Sequence, residues 1–169
     1  MDQGAVNLEE VNRMDKGTFV AVFGGIAEHS PWVAECAAGE RPFKSREMMI
    51  EAFCSAVTRA SHDKKAELIR AHPDLATRAS LSPDSSREQK SAGLDSLTEA
   101  EFARFTDLNA RYSKTFGVPF IFAVRGATKQ QILASFEERI HNPPEREFEI
   151  AIANIRRILR FRIEDRVEP

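Results

Sequence analysis

Thr98-Glu99-Ala100-Glu101, the eleven-residue stretch Phe102 to Tyr112, then Ser113-Lys114-Thr115-Phe116-Gly117-Val118-Pro119 contains a complete helix with its start and stop signals. Thr98 and Glu101 form a capping box, in which each side chain satisfies a backbone N–H that the first turn leaves unpaired. Phe102, Phe105, Leu108, Asn109 and Tyr112 then recur at helical spacing. Gly117 ends the helix and Pro119 bars its continuation.

The same punctuation recurs on both sides. Thr128 and Gln131 make a second capping box, opening a helix to about Ile140, and Asn142-Pro143 starts a last helix to about Arg166. Upstream, Ser82-Pro83 reads as N-cap and first turn, with Gly93 as the stop and Glu88 in mid-helix beside Ser85 and Ala92. Asp63 can start a short helix carrying Ala66, Leu68 and Ile69, with His72 at its end because Pro73 disfavours helical geometry in the preceding residue. Ser45 caps a helix from about Arg46 to Ala60, with Met49, Ala52, Phe53 and Ala56 on one face. Pro31 begins a further helix that Gly39 can end. The expectation is an all-α fold of seven to nine helices in one domain spanning residues 1–169.

One stretch departs from the pattern. Phe120-Ile121-Phe122-Ala123-Val124 is strand-like and has no second run of similar quality to pair with. Its backbone groups need partners other than a sheet. A bound ligand is one candidate; a buried connector bonded to side chains or water is the other.

The last helix carries a charge on its apolar stripe. Phe148, Ala151, Ile152, Ile155, Ile158 and Leu159 follow helical spacing, and Arg162 continues them. A guanidinium there needs a carboxylate, from the protein or from an anionic ligand, unless the helix end reaches water. Arg156, Arg157 and Arg160 fall largely off the stripe and read as surface.

Composition narrows the function. The net charge of −2, without a long Lys/Arg run, argues against nucleic acid as a partner. No run of about eighteen apolar residues suggests a membrane span, and the Met1-Asp2-Gln3 start lacks a signal-peptide core, so a cytoplasmic protein is expected. Cys36 and Cys54 lack CxxC spacing and read as buried free thiols rather than a disulfide or zinc site. The four histidines are too scattered to suggest a metal, and no nucleotide-binding, nucleophile-elbow or zinc-protease motif appears. His72 and Glu88 remain as a pair suited to proton transfer near neutral pH. Taken singly, both have structural readings: a histidine bonded at a helix end and a solvent-facing helical glutamate.

Together these segments resemble a known family. His72-Pro73-Asp74-Leu75-Ala76, Ser85-Ser86-Arg87-Glu88-Gln89, Ala92-Gly93-Leu94, Leu108-Asn109, Tyr112 and Phe116-Gly117-x-Pro119-Phe120-Ile121 occur in the order found in 2-oxo-4-hydroxy-4-carboxy-5-ureidoimidazoline (OHCU) decarboxylases of urate degradation. The resemblance implies an all-helical homodimer without cofactor or metal, converting OHCU to (S)-allantoin and carbon dioxide. It implies His72 as proton donor, Glu88 as the second catalytic group, and substrate contacts from Pro73, Ser85, Ser86, Arg87, Glu88, Gln89, Phe120, Ile121, Phe122, Ala123, Val124 and Arg162. Val118 stands where the family commonly has an aromatic, and the stretch between Ala76 and Ser85 is shorter than in some members. Two alternatives are a helical protein-interaction module without enzymatic activity and a hydrolase of a related ureide.

Overall fold

A computed structural model describes residues 4–77 and 80–169. Among these residues it contains nine helices and no strand. They are α1 (Leu8–Arg13), α2 (Lys16–Phe23), α3 (Trp32–Ala38), α4 (Arg46–Arg59), α5 (His62–Ala71), α6 (Pro83–Ser91), α7 (Glu99–Phe116), α8 (Lys129–Arg139) and α9 (Pro144–Arg166). The all-α expectation holds. The start at Met1 to Gln3 and part of the short stretch after Ala76 lie outside the described residues.

The capping residues read from the sequence act as expected. Ser45, Ser82, Thr98 and Thr128 each accept a backbone N–H from the first turn of their helix, and both capping boxes are complete. The sequence reading leaves α1 and α2 unassigned; Asn7 and Asp15 cap them. Helix α5 begins at His62, one residue before Asp63, because the Ser61 hydroxyl accepts from Lys64 N. It ends at Ala71, so His72 follows the helix, as Pro73 requires.

The chain divides into two compact units, residues 1–71 with 156–169, and residues 72–155. In the first, Phe19 packs against Phe23, Phe43 and Phe53, with ring centroids 5.1, 6.3 and 6.1 Å apart. An isolated bridge joins Val6 to Val167. Cys36 corrects the reading of two buried thiols. It is exposed and Cys54 only partly covered, because the α3 positions that turn inward are Val33, Ala34, Ala37 and Ala38. Their i, i+4 pairing puts Cys36 on the outer side.

The second unit is built around Phe105, Leu108, Tyr112, Phe120, Ile132 and Phe136, with Leu75, Ala76 and Val124 joining from loops. Residues 119–124 form neither helix nor strand. Phe120 lies flat on Phe136, centroids 3.8 Å apart at 6°, and meets the edge of Tyr112.

Gly117 closes α7 in the left-handed conformation, φ 70°. A methyl group there meets nothing within 4 Å, so the cost of alanine is conformational rather than steric. Gly117→Ala is expected to lower stability by about 1 kcal/mol. Urea unfolding followed by circular dichroism checks this; an unchanged midpoint would contradict it.

Candidate active site

His72 opens the second unit and is 8% exposed. Pro73 is half-buried and Asp74 exposed, while Leu75 and Ala76 turn back into the core. Partial desolvation holds the Asp74 carboxyl above the ordinary aspartate range. Ala76 adopts φ 57°, a left-handed conformation that is costly for a residue with a Cβ. Its N–H donates to Gln89 Oε1 at 2.9 Å. Gln89 Nε2 donates more weakly to the Asp74 carbonyl, 3.4 Å away. From α7, Asn109 Nδ2 donates to the Leu75 carbonyl at 2.9 Å.

The helical register of α6 sorts the segment Ser85 to Gln89. Ser85 and Gln89 are buried, and Glu88 is half-buried beside them. Ser86 and Arg87 are exposed on the other side. The Arg87 guanidinium pairs with Asp84, three residues earlier. The face shared by Ser85, Glu88 and Ala92 is the one their spacing indicates.

Segment 119–124 is held by side chains. The Ala123 N–H donates to Asn154 Oδ1 at 3.0 Å. The Ile121 carbonyl accepts from Arg139 Nη1 at 2.7 Å. The Val124 carbonyl accepts from Ala127 N at 3.0 Å. The Ala123 and Ile121 groups are thus bonded to side chains, as the buried-connector reading has it, and the Val124 carbonyl to a backbone turn.

Arg139, 6% exposed, also lies over the Phe120 ring, 4.3 Å from its centroid. Glu147, 2% exposed, fixes it by accepting from Arg139 Nε at 3.0 Å. The same carboxylate accepts from Tyr112 Oη at 2.6 Å and Asn142 Nδ2 at 2.9 Å. Burial and the adjacent carboxylate push the Tyr112 hydroxyl well above its usual pKa, so it stays protonated and donates. The sequence reading passes over Arg139, Glu147 and Asn154.

Arg162 is buried in the first unit, which excludes a frayed or solvent-reaching end. Its Nη1 donates to Glu28 Oε2 at 2.9 Å and to the Ile26 carbonyl at 3.1 Å. The stripe of α9 therefore has a protein carboxylate for its arginine, one the sequence reading does not name. Among the described residues no cluster of three metal-ligating side chains occurs. No helix there is long and apolar enough to cross a membrane.

Removing one partner of a buried ion pair strands the other charge, at a cost of about 3–5 kcal/mol. Arg139→Met is expected to lose stability in that range, and Arg139→Met with Glu147→Leu to recover part of it. Urea unfolding of the single and double variants measures the coupling; additive losses would mean that the two side chains act independently.

Residues 12–164 match the OHCU decarboxylase family profile. A Haloferax volcanii 2-oxo-4-hydroxy-4-carboxy-5-ureidoimidazoline decarboxylase is 41% identical over 95% of this chain and 96% of its own length. The uric acid degradation bifunctional protein PucL of Bacillus subtilis is 40% identical over 94% of this chain, which spans 32% of that larger protein. A crystal structure of (S)-allantoin synthase superposes with a TM-score of 0.79 at 32% identity, covering 96% of this chain and 54% of the other. With the family pattern matched over most of its length, this chain belongs to the OHCU decarboxylase family.

Proposed function

We propose that this protein decarboxylates OHCU to (S)-allantoin in the breakdown of urate. The observation that carries the reading is the 41% identity, along nearly the full length of both chains, with an OHCU decarboxylase. The family match over residues 12–164 supports treating 1–169 as one domain of this kind. The site geometry is compatible with it: His72, the buried face of α6 and segment 119–124 all belong to one compact unit.

Loss of carbon dioxide leaves an electron pair on the carbon that carried the carboxylate. The adjacent ring imine and carbonyl of OHCU can accept that charge. The protein's task is then to hold one face of the intermediate toward an acid. The electron pair passes into the ring imine to leave an enol. His72, protonated, delivers its proton to the ureido-bearing carbon, while the neighbouring hydroxyl gives up its own and becomes the carbonyl. The face that His72 protonates sets the S configuration. Glu88 orients the ureido or ring N–H groups. Pro73, Ser85 and Glu88 line the substrate, whereas Ser86 and Arg87 lie on the other side of α6 and the Gln89 amide is bonded to the loop after His72. In segment 120–124 the Ala123 N–H is already given to Asn154, so the ring amide pairs with other groups of that segment. We place the enzyme in the cytoplasm as a homodimer, on the family resemblance.

Two expectations follow from these roles. Freshly prepared OHCU, followed by circular dichroism, decays faster with the protein than alone and ends as optically active (S)-allantoin. His72→Ala and Glu88→Ala remain folded and lose most of this activity, about 100-fold or more. Decay at the spontaneous rate to racemic allantoin would remove the decarboxylase reading, and wild-type turnover by His72→Ala would remove the acid.

For Arg162 the resemblance assigns a substrate contact, and the pair with Glu28 a structural role. Arg162→Leu is expected to raise KM while remaining folded, with a stability loss of about 3–5 kcal/mol from the broken buried pair with Glu28. A variant that unfolds, or that keeps the wild-type KM, assigns Arg162 to structure alone.

A further inference from the structure

The loop that follows His72 is gripped at three consecutive residues by two amides from two helices. Gln89 of α6 holds Asp74 and Ala76, and Asn109 of α7 holds Leu75 between them. Each bond goes to backbone, so the grip fixes the path of the chain rather than any one side chain. Ala76 is left-handed without being glycine, and its N–H is the donor that Gln89 accepts. An unfavourable conformation persists only where the surroundings determine it.

Asn109 adds a second sign. Among the described residues its Oδ1 is buried with no hydrogen-bond partner, while its Nδ2 donates to the Leu75 carbonyl. Turning the amide over would set Oδ1 against that carbonyl, two acceptors facing each other. The orientation is therefore held for a single donation to the loop. Gln89 is 6% exposed and has its amide oxygen and nitrogen both on the loop, although the family pattern places it in the substrate-contacting segment.

We propose that Gln89 and Asn109 are positioning residues for the proton donor: they fix residues 74–76 and, through them, the approach of His72 to the substrate carbon. This rests on the reading of His72 as that donor. Small displacements of a positioned group are costly to rate when nothing else in the reaction changes. Loosening the loop should then slow proton delivery and let the proton arrive on either face, while substrate binding stays nearly as it was.

The test compares Asn109→Ala, Gln89→Met and His72→Ala, and both amide changes in the His72→Ala background, on fresh OHCU with circular dichroism detection. Each amide variant is expected to lower kcat about tenfold, keep KM within about twofold, and reduce the enantiomeric excess of the allantoin formed. In the His72→Ala background neither should lower the rate further. If Gln89→Met does not fold, Gln89→Glu replaces it. Glutamate keeps an acceptor for Ala76 but sets an oxygen against the Asp74 carbonyl, so a fall in kcat of the same order is expected. Wild-type kcat in the folded amide variants, or a raised KM at constant kcat, would overturn the proposal. So would a loss that adds to that of His72→Ala, and that result would leave His72 itself as the donor. Full activity in His72→Ala would instead remove the donor reading and this proposal with it.

Discussion

A buried, non-helical stretch inside an all-helical unit has no neighbouring strand to complete its hydrogen bonds, so helices must reach into it with side chains. Segment 119–124 meets that constraint through Asn154 at Ala123 and Arg139 at Ile121. Arg139 can serve only because Glu147 neutralises it in a place with little solvent, and Glu147 in turn takes Tyr112 and Asn142. Residues of α7, α8 and α9 and of the turn before α9 thus converge on one carboxylate. A buried ion pair is weak evidence of net stability, since desolvation offsets much of the attraction. Its effect here is geometric: Phe120 lies between the guanidinium and the face of Phe136, and the chain around it has one course.

Much of this architecture can be read from the residues. Caps and stop signals mark most of the helices because they act locally, within three or four positions. The counting that puts Arg162 on the inner stripe of α9, carried further along the chain, reaches two more buried charges that the sequence reading passes over. Arg139 stands three after Phe136 and seven after Ile132, and Glu147 stands four before Ala151. Each continues a buried row, and a cation and an anion on inward rows imply each other. Glu28 offers no such signal. It lies in the irregular stretch between α2 and α3, where no periodicity tells inside from outside.

Helix α2 escapes notice for a related reason. Lys16-Gly17-Thr18-Phe19-Val20-Ala21-Val22-Phe23 is rich in residues that also suit a strand, and its helical state is set by packing of Phe19 and Phe23 against the aromatic core. Around the candidate site the division is sharper. Pro73 announces that His72 leaves the helix, and α6 shows which residues share the face of Glu88. Nothing announces that Ala76 is left-handed, since glycine or asparagine would be the usual signal. Gln89 and Asn109 read as ordinary helix residues until the loop they hold is seen.

Two irregular segments of the second unit, 72–77 and 119–124, are thus built alike. Each has backbone polar groups tied to side chains of flanking helices: amides for the first, an amide and a guanidinium for the second. Side chains on helices are positioned by rigid cylinders, so a loop tied to them inherits their precision. In the proposed reaction the electron pair is accepted by the substrate's own ring, and the protein contributes orientation and one proton. The accuracy with which two loops are held then bears directly on rate and on product handedness. An all-helical scaffold can supply that accuracy only by spending buried polar side chains on backbone, and this unit places them where these two segments enter the core.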